Sequence, residues 1–205
     1  MAALLSHAAL TALMMQCAPS VAPETMLTLA GIESDGNPYS IAVIGRQLEA
    51  QPTDLKSALA LVSDLDKKGE DYSLGLMQIY KKNFSGLGLT TEKAFDACES
   101  IKAGAKIFSD CYERAIDDPA FSGDEQNALR GAMSCYYSNN LTRGYIKEFD
   151  GKSYVDLANE KVNKLYKVPA IKPQQQTDNL QGAPAAQQKQ PQRQAWDVYG
   201  DFNIY

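Results

Sequence analysis

Histidine is almost missing from this chain: His7 is the only one among 205 residues. A Ser-His-Asp or Cys-His mechanism therefore has no imidazole to draw on away from the N-terminus. Zinc sites built from several histidines are excluded. The cysteines do not rescue a metal site, because Cys17, Cys98, Cys111 and Cys135 contain no C-x-x-C pair. No metal and no cofactor is expected. The net charge of −5 leaves no basic footprint and argues against nucleic acid as a partner. No apolar run is long enough to make a transmembrane segment.

Basic residues are also missing from the start of the chain, where the first Lys or Arg is Arg46. The apolar stretch from Met1 to Gln16 thus lacks the basic n-region of a signal peptide and reads as the first helix of the domain. Export would need an upstream start, another route or a signal already removed. The four cysteines suggest two disulfides in an oxidising compartment, or else four buried thiols in a reducing one. Several pairings are open, and sequence does not choose among them.

What is present is enough for one domain with a core, followed by a tail. Charged residues make up 22% and hydrophobics 44%, the composition of an ordinary folded domain. Pro23 suits the first turn of a helix. From there Met26, Ala30 and Glu33 recur at helical spacing beside Leu29, which puts Glu33 on an apolar face. Asp35-Gly36-Asn37-Pro38 then breaks the helix. Further helices are predicted over Thr53 to Lys68, with Leu55, Leu59 and Val62 inward, and over Glu99 to Ala115, with Ile101, Ala105, Phe108 and Tyr112 in register. Ser122-Gly123-Asp124-Glu125 has capping-box spacing and opens a helix carrying Ala128, Ala132 and Cys135. The last helix spans Tyr154 to Tyr166.

Strand signals are few. Tyr39 to Ile44 is the best, with a short pairing to Tyr72 to Leu76. The expected domain, residues 1–168, is mainly α with at most a small β element. Residues 169–205 change character: Gln, Pro and Ala dominate, and large apolar side chains are scarce until Trp196, Tyr199 and Phe202. Such a composition cannot bury enough surface to offset ordering entropy. It reads as a flexible tail ending in an aromatic docking motif.

Two short strings carry chemistry: Gly31-Ile32-Glu33-Ser34 and Ser73-Leu74-Gly75-Leu76-Met77-Gln78-Ile79. A carboxyl on an apolar helix face has its pKa raised by desolvation, which suits a general acid near neutral pH. Most glycosidases pair such an acid with a second carboxylate. The nearby Asp35, Glu49, Asp66, Glu70 and Asp71 all read as solvated charges.

Taken with Ala132-Met133-Ser134-Cys135-Tyr136, these strings resemble the lysozyme-like lytic transglycosylases, most closely the branch serving type IV secretion and conjugation systems. The resemblance covers residues 8 to about 166. It implies a lysozyme-like fold and cleavage of peptidoglycan glycan strands. It implies Glu33 as the acid/base and Ser34 as its orienting neighbour. Gly75, Leu76, Met77 and Gln78 would line the glycan cleft, and the Tyr136 hydroxyl would lie near the Glu. Relatives commonly have Asn after that Tyr, whereas this chain has Tyr137, with Asn139 and Asn140 as substitutes. The resemblance also implies a periplasmic location and partners in a secretion apparatus, reached through the tail. The competing readings are a glycan-binding module without catalysis, a hydrolase of lysozyme type and a wall-lytic protein of a phage particle.

Overall fold

The computed structural model describes residues 4–165, with side chains through Val162. The Gln/Pro-rich stretch 169–205 lies outside the described residues. Eight helices and three short strands follow in the order α1 His7–Cys17, α2 Pro23–Glu33, β1 Ile41–Val43, α3 Leu55–Lys67, β2 Tyr72–Leu74, β3 Ile79–Tyr80, α4 Phe84–Leu87, α5 Thr91–Phe95, α6 Ala97–Asp117, α7 Glu125–Ser138 and α8 Tyr154–Leu165. The mainly α architecture with a small β element is thus observed. β1 and β2 pair antiparallel, with Ile41 opposite Leu74, and β3 extends the sheet beyond β2.

Two larger hydrophobic clusters organise the molecule, beside a small third one of Ala115, Phe121 and Ala128. The larger joins α1, α2, α6, α7 and α8 through side chains such as Met14, Leu29, Ile101, Phe108, Ala132 and Ala158. The smaller lies between the sheet and helices α3 and α5, around Ile41, Val62, Leu65, Leu74 and Phe95. Phe84 packs against both. A helical lobe and a sheet lobe therefore meet along a seam, and the Leu76-Met77-Ile79 segment of the helical cluster sits on it.

Local signals explain most helix ends. Asp54 caps α3 by accepting from the Ser57 N–H, and the Ser57 hydroxyl accepts in return from the Asp54 N–H. The buried face of α3 is Ala58, Val62 and Leu65, not the expected Leu55 register; Leu55 is exposed. The cap of α7 is Asp124, whose side chain accepts from the Gln126 N–H, so the helix begins two residues after the predicted opening at Ser122.

All four cysteines are bridged. Cys17 at the end of α1 pairs with Cys98 at the start of α6, and Cys111 further along α6 pairs with Cys135 on α7, with Cα separations of 5.4 and 5.6 Å. Each bridge typically stabilises by about 2–4 kcal/mol. Together they fix α6 to both neighbours. Among the described residues, no helix is long and apolar enough to cross a membrane.

Candidate active site

Helix α2 delivers Glu33 to the site. Thr25 through Ala30 are all buried, so this helix is enclosed on every side rather than on one face. Only its two ends, Pro23-Glu24 and Gly31 to Glu33, are partly exposed. The Ser34 N–H closes the helix on Ala30 O at 3.1 Å, and Asp35 and Gly36 then turn the chain away with φ of 50° and 82°. Glu33 keeps partial contact with solvent, but its carboxyl is surrounded by protein. Desolvation raises its pKa from 4.5 to about 7, against the opposing effect of a hydrogen bond donated by the Tyr154 hydroxyl to Oε1. The group is therefore poised between acid and base at neutral pH.

The Gly75–Gln78 string is the four-residue turn joining β2 to β3. Its polar backbone groups are claimed from several directions. The Ser34 hydroxyl donates to Leu76 O at 2.8 Å, and the Tyr136 hydroxyl donates to Met77 O at 2.7 Å. The Met77 N–H donates to the buried Ser100 hydroxyl on α6, and the Gly75 N–H to Ser40 O. Gly75 has φ +80° and lies so close to α5 that a Cβ would fall 1.9 Å from Ala94 O. Gln78, at φ +46°, also occupies the left-handed region, a costly conformation for a residue with a Cβ.

The side chains of Leu76 and Met77 are wholly buried in the core rather than facing the cleft. Whatever the string offers a ligand comes from its backbone and from Gln78. The Gln78 amide nitrogen donates to Ser40 O and Gly75 O, while its carbonyl oxygen is buried without a partner among the described residues.

Three tyrosines surround Glu33. Tyr136 is bonded to the string, and burial followed by the nearby Glu33 charge holds its pKa well above the usual value. Tyr154 opens α8, where the Ser153 and Asp156 side chains cap each other's N–H groups. Burial, then Glu33, likewise keeps the Tyr154 hydroxyl protonated and a donor. Tyr137 stacks on Tyr154 with ring centroids 4.9 Å apart, and its hydroxyl donates to Glu148. Sequence reasoning missed the contact of Tyr154 with Glu33. The usable signal was a tyrosine on the inward face of a helix, where a buried hydroxyl needs a partner.

Asn139 and Asn140 do not replace the expected asparagine. Asn139 ends α7 in the left-handed conformation and accepts from Arg114, while Asn140 Oδ1 accepts from Thr142 and the Arg143 N–H in the following turn.

The other carboxylates near the two strings are engaged or exposed elsewhere. Asp35 binds Lys161, Glu70 binds Arg46, Asp66 accepts from Tyr72, and Asp71 meets Tyr80 and Lys82. Glu49 is exposed. Among the described residues, no cluster of three or more His, Cys, Asp or Glu could hold a metal ion.

Beside the tyrosines opens a cleft of about 980 Å³ between the lobes, bounded by β2, β3 and α4 on one side and by α6 and α7 on the other. Tyr136 and Tyr137 line it and also lie near the Glu33 charge, whereas Glu33, Ser34, Gln78 and Tyr154 are not themselves on its wall.

Comparison with known proteins agrees with this arrangement. Residues 11–132 match the family described as the transglycosylase SLT domain. The type IV secretion system protein virB1 of Brucella suis, and likewise that of Brucella abortus, is 45% identical over 140 residues, which is 68% of this chain and 58% of the relative. The chain thus spans less than two thirds of the length of those relatives. Protein virB1 of Agrobacterium fabrum is 30% identical over 203 residues, covering 98% of this chain and 74% of the relative. No solved structure matches the chain. With the match extending across both strings, the chain belongs to the transglycosylase SLT family, alongside the virB1 proteins.

Proposed function

We propose that the protein is a peptidoglycan lytic transglycosylase. It would cleave the β-1,4 bond between N-acetylmuramic acid and N-acetylglucosamine and leave a 1,6-anhydro-muramic end. The observation that carries this reading is Glu33 itself: enclosed, near-neutral in pKa and flanked by tyrosines, while Glu148, held by Tyr137, is paired with Arg143 and the carboxylates near the two strings are engaged or exposed elsewhere. With Oε1 held by Tyr154, the protonated Glu33 carries its proton on Oε2 and passes it to the leaving glycosidic oxygen. The substrate's own acetamido group supports the positive charge at the anomeric carbon. The Glu33 carboxylate then takes the proton of the C6 hydroxyl, whose oxygen closes onto that carbon. The nucleophile is already tethered to the reacting sugar, so no group is needed to activate water.

The Brucella relatives are named type IV secretion system proteins. By extension, this protein would act in the periplasm and open the wall locally for such an apparatus. Its partners would be glycan strands and, through the Gln/Pro-rich C-terminal stretch, components of that machinery.

Digestion of purified peptidoglycan in ¹⁸O-labelled water tests the reaction. The expected products carry no label and are one water lighter than hydrolysis products. Label at reducing muramic ends would mean hydrolysis and would remove the lyase reading.

A further inference from the structure

We propose that the cleft binds a carboxylate carried by the glycan strand, with Arg114 as the anchoring cation; this rests on the peptidoglycan reading above. The chain as a whole is acidic, with a net charge of −5. Its cleft is not: Lys82, Lys106 and Arg114 line it against one carboxylate, Asp110. Two of the three cations are already neutralised. Lys82 lies 2.9 Å from Asp71, and Lys106 lies 3.4 Å from Asp110.

Arg114 differs from both. Among the described residues it has no carboxylate partner. Its Nη1 donates to Asn139 Oδ1 at 2.6 Å and its Nη2 to Asn139 O at 3.1 Å, with the Cys135 sulfur 3.3 Å from Nη1. Asn139 is itself fixed, in the left-handed position that ends α7, and Cys135 is fixed by its bridge to Cys111. One edge of the guanidinium is therefore clamped by neutral acceptors, while its charge stays uncompensated and its remaining N–H groups stay available. A planar fork held in this way loses little freedom when it meets a carboxylate.

The sugar rings of a glycan strand are uncharged. The negative charge in reach lies on the substituent at the muramic C3 oxygen. That is either a free lactyl carboxylate or, when the lactyl group is amidated, the carboxylates of the attached peptide. The shared chemistry is a carboxylate presented beside a neutral sugar chain, and it suits a cleft that carries Tyr80, Tyr136 and Tyr137 beside its cations.

The test compares the full chain with Arg114→Gln and Arg114→Lys on three probes. These are strands bearing peptides, the same strands stripped of peptide by an amidase, and an uncharged N-acetylglucosamine hexamer followed by binding alone. Arg114→Gln is expected to raise KM about two- to fivefold on charged strands, the range for a solvent-accessible ion pair, with kcat retained and the salt dependence of KM flattened. Arg114→Lys should recover part of the loss, and hexamer affinity should not change. A penalty confined to peptide-bearing strands assigns the carboxylate to the peptide, and one persisting on stripped strands assigns it to the lactyl group. Equal weakening toward the hexamer would show that Arg114 merely holds Asn139 and would overturn the proposal, as would an unchanged KM on both charged strands. If wild type cleaves neither strand, the transglycosylase reading fails. Sedimentation with insoluble peptidoglycan then decides the Arg114 proposal: weaker retention of Arg114→Gln supports it, and equal retention overturns it.

Discussion

Glu33→Gln leaves a folded protein that turns over glycan about 10²- to 10⁴-fold more slowly, the usual loss when a general acid is removed. The amide is nearly isosteric and can still accept from Tyr154, so strand binding should survive. A variant that digests wall as fast as wild type would remove Glu33 from the mechanism. The same residue sets two pH dependences. As an acid it must be protonated, so kcat/KM should fall as pH rises through about 7. For stability, the folded pKa lies above the unfolded value of 4.5, so between 4.5 and about 7 the folded state binds more protons than the unfolded state. Stability then falls as pH rises through that window, by about 3 kcal/mol at most. Glu33→Gln removes this slope. It should match wild type near pH 4 and exceed it in urea unfolding at pH 8. The opposite order at pH 8 would contradict the enclosed position of the carboxyl.

Gly75→Ala should be the most damaging small substitution in the turn. The new Cβ meets a backbone oxygen, Ala94 O, at 1.9 Å, and backbone has no rotamer through which to escape. The left-handed conformation adds about 1–2 kcal/mol, and overpacking typically adds about 1–3. A loss of about 2–5 kcal/mol is expected, a large part of a typical domain's stability. The urea midpoint should drop with an unchanged m-value. A loss below about 0.5 kcal/mol, the size of an ordinary surface substitution, would show that α5 yields and that the turn is not held as described. Activity should fall as well, because the turn anchors both Ser34 and Tyr136.

Much of the fold was legible. Long elements declare themselves by periodicity: Ile101, Ala105 and Phe108 are buried on α6 as their spacing predicts, and Ala128, Ala132 and Cys135 are buried on α7. The α2 boundaries follow from Pro23 at its start and Asp35-Gly36 after its end. Elements too short to have a period were not legible. Phe84–Leu87 and the two-residue strand Ile79–Tyr80 offer no periodic signal, and Thr91–Phe95 shows only its Thr90 cap.

The site was legible only in part, for the same reason. Glu33 and Ser34 stand out through helical spacing and motif, but Tyr154 lies 121 residues from Glu33 in sequence, and no local pattern pairs them. The cysteine pairing is also tertiary information, with partners separated by 81 and 24 residues. The string around Met77 was distinctive in sequence but misleading in role. Its apolar side chains fill the core, and its peptide groups do the connecting.

That connection bears on motion. Two adjacent peptide units, at Leu76 and Met77, are gripped by α2, α6 and α7 together, while the flanking strands belong to the sheet. Pulling the turn off the helices would break all three grips at once, leaving buried polar groups without partners at about 1–3 kcal/mol each. The turn is therefore the anchored end of the hairpin, and any movement of the sheet against the helices has to pivot about it rather than carry it along. Amide exchange at Met77 reports this directly: its N–H should exchange only with global unfolding, and fast exchange there would mean that the anchor lets go.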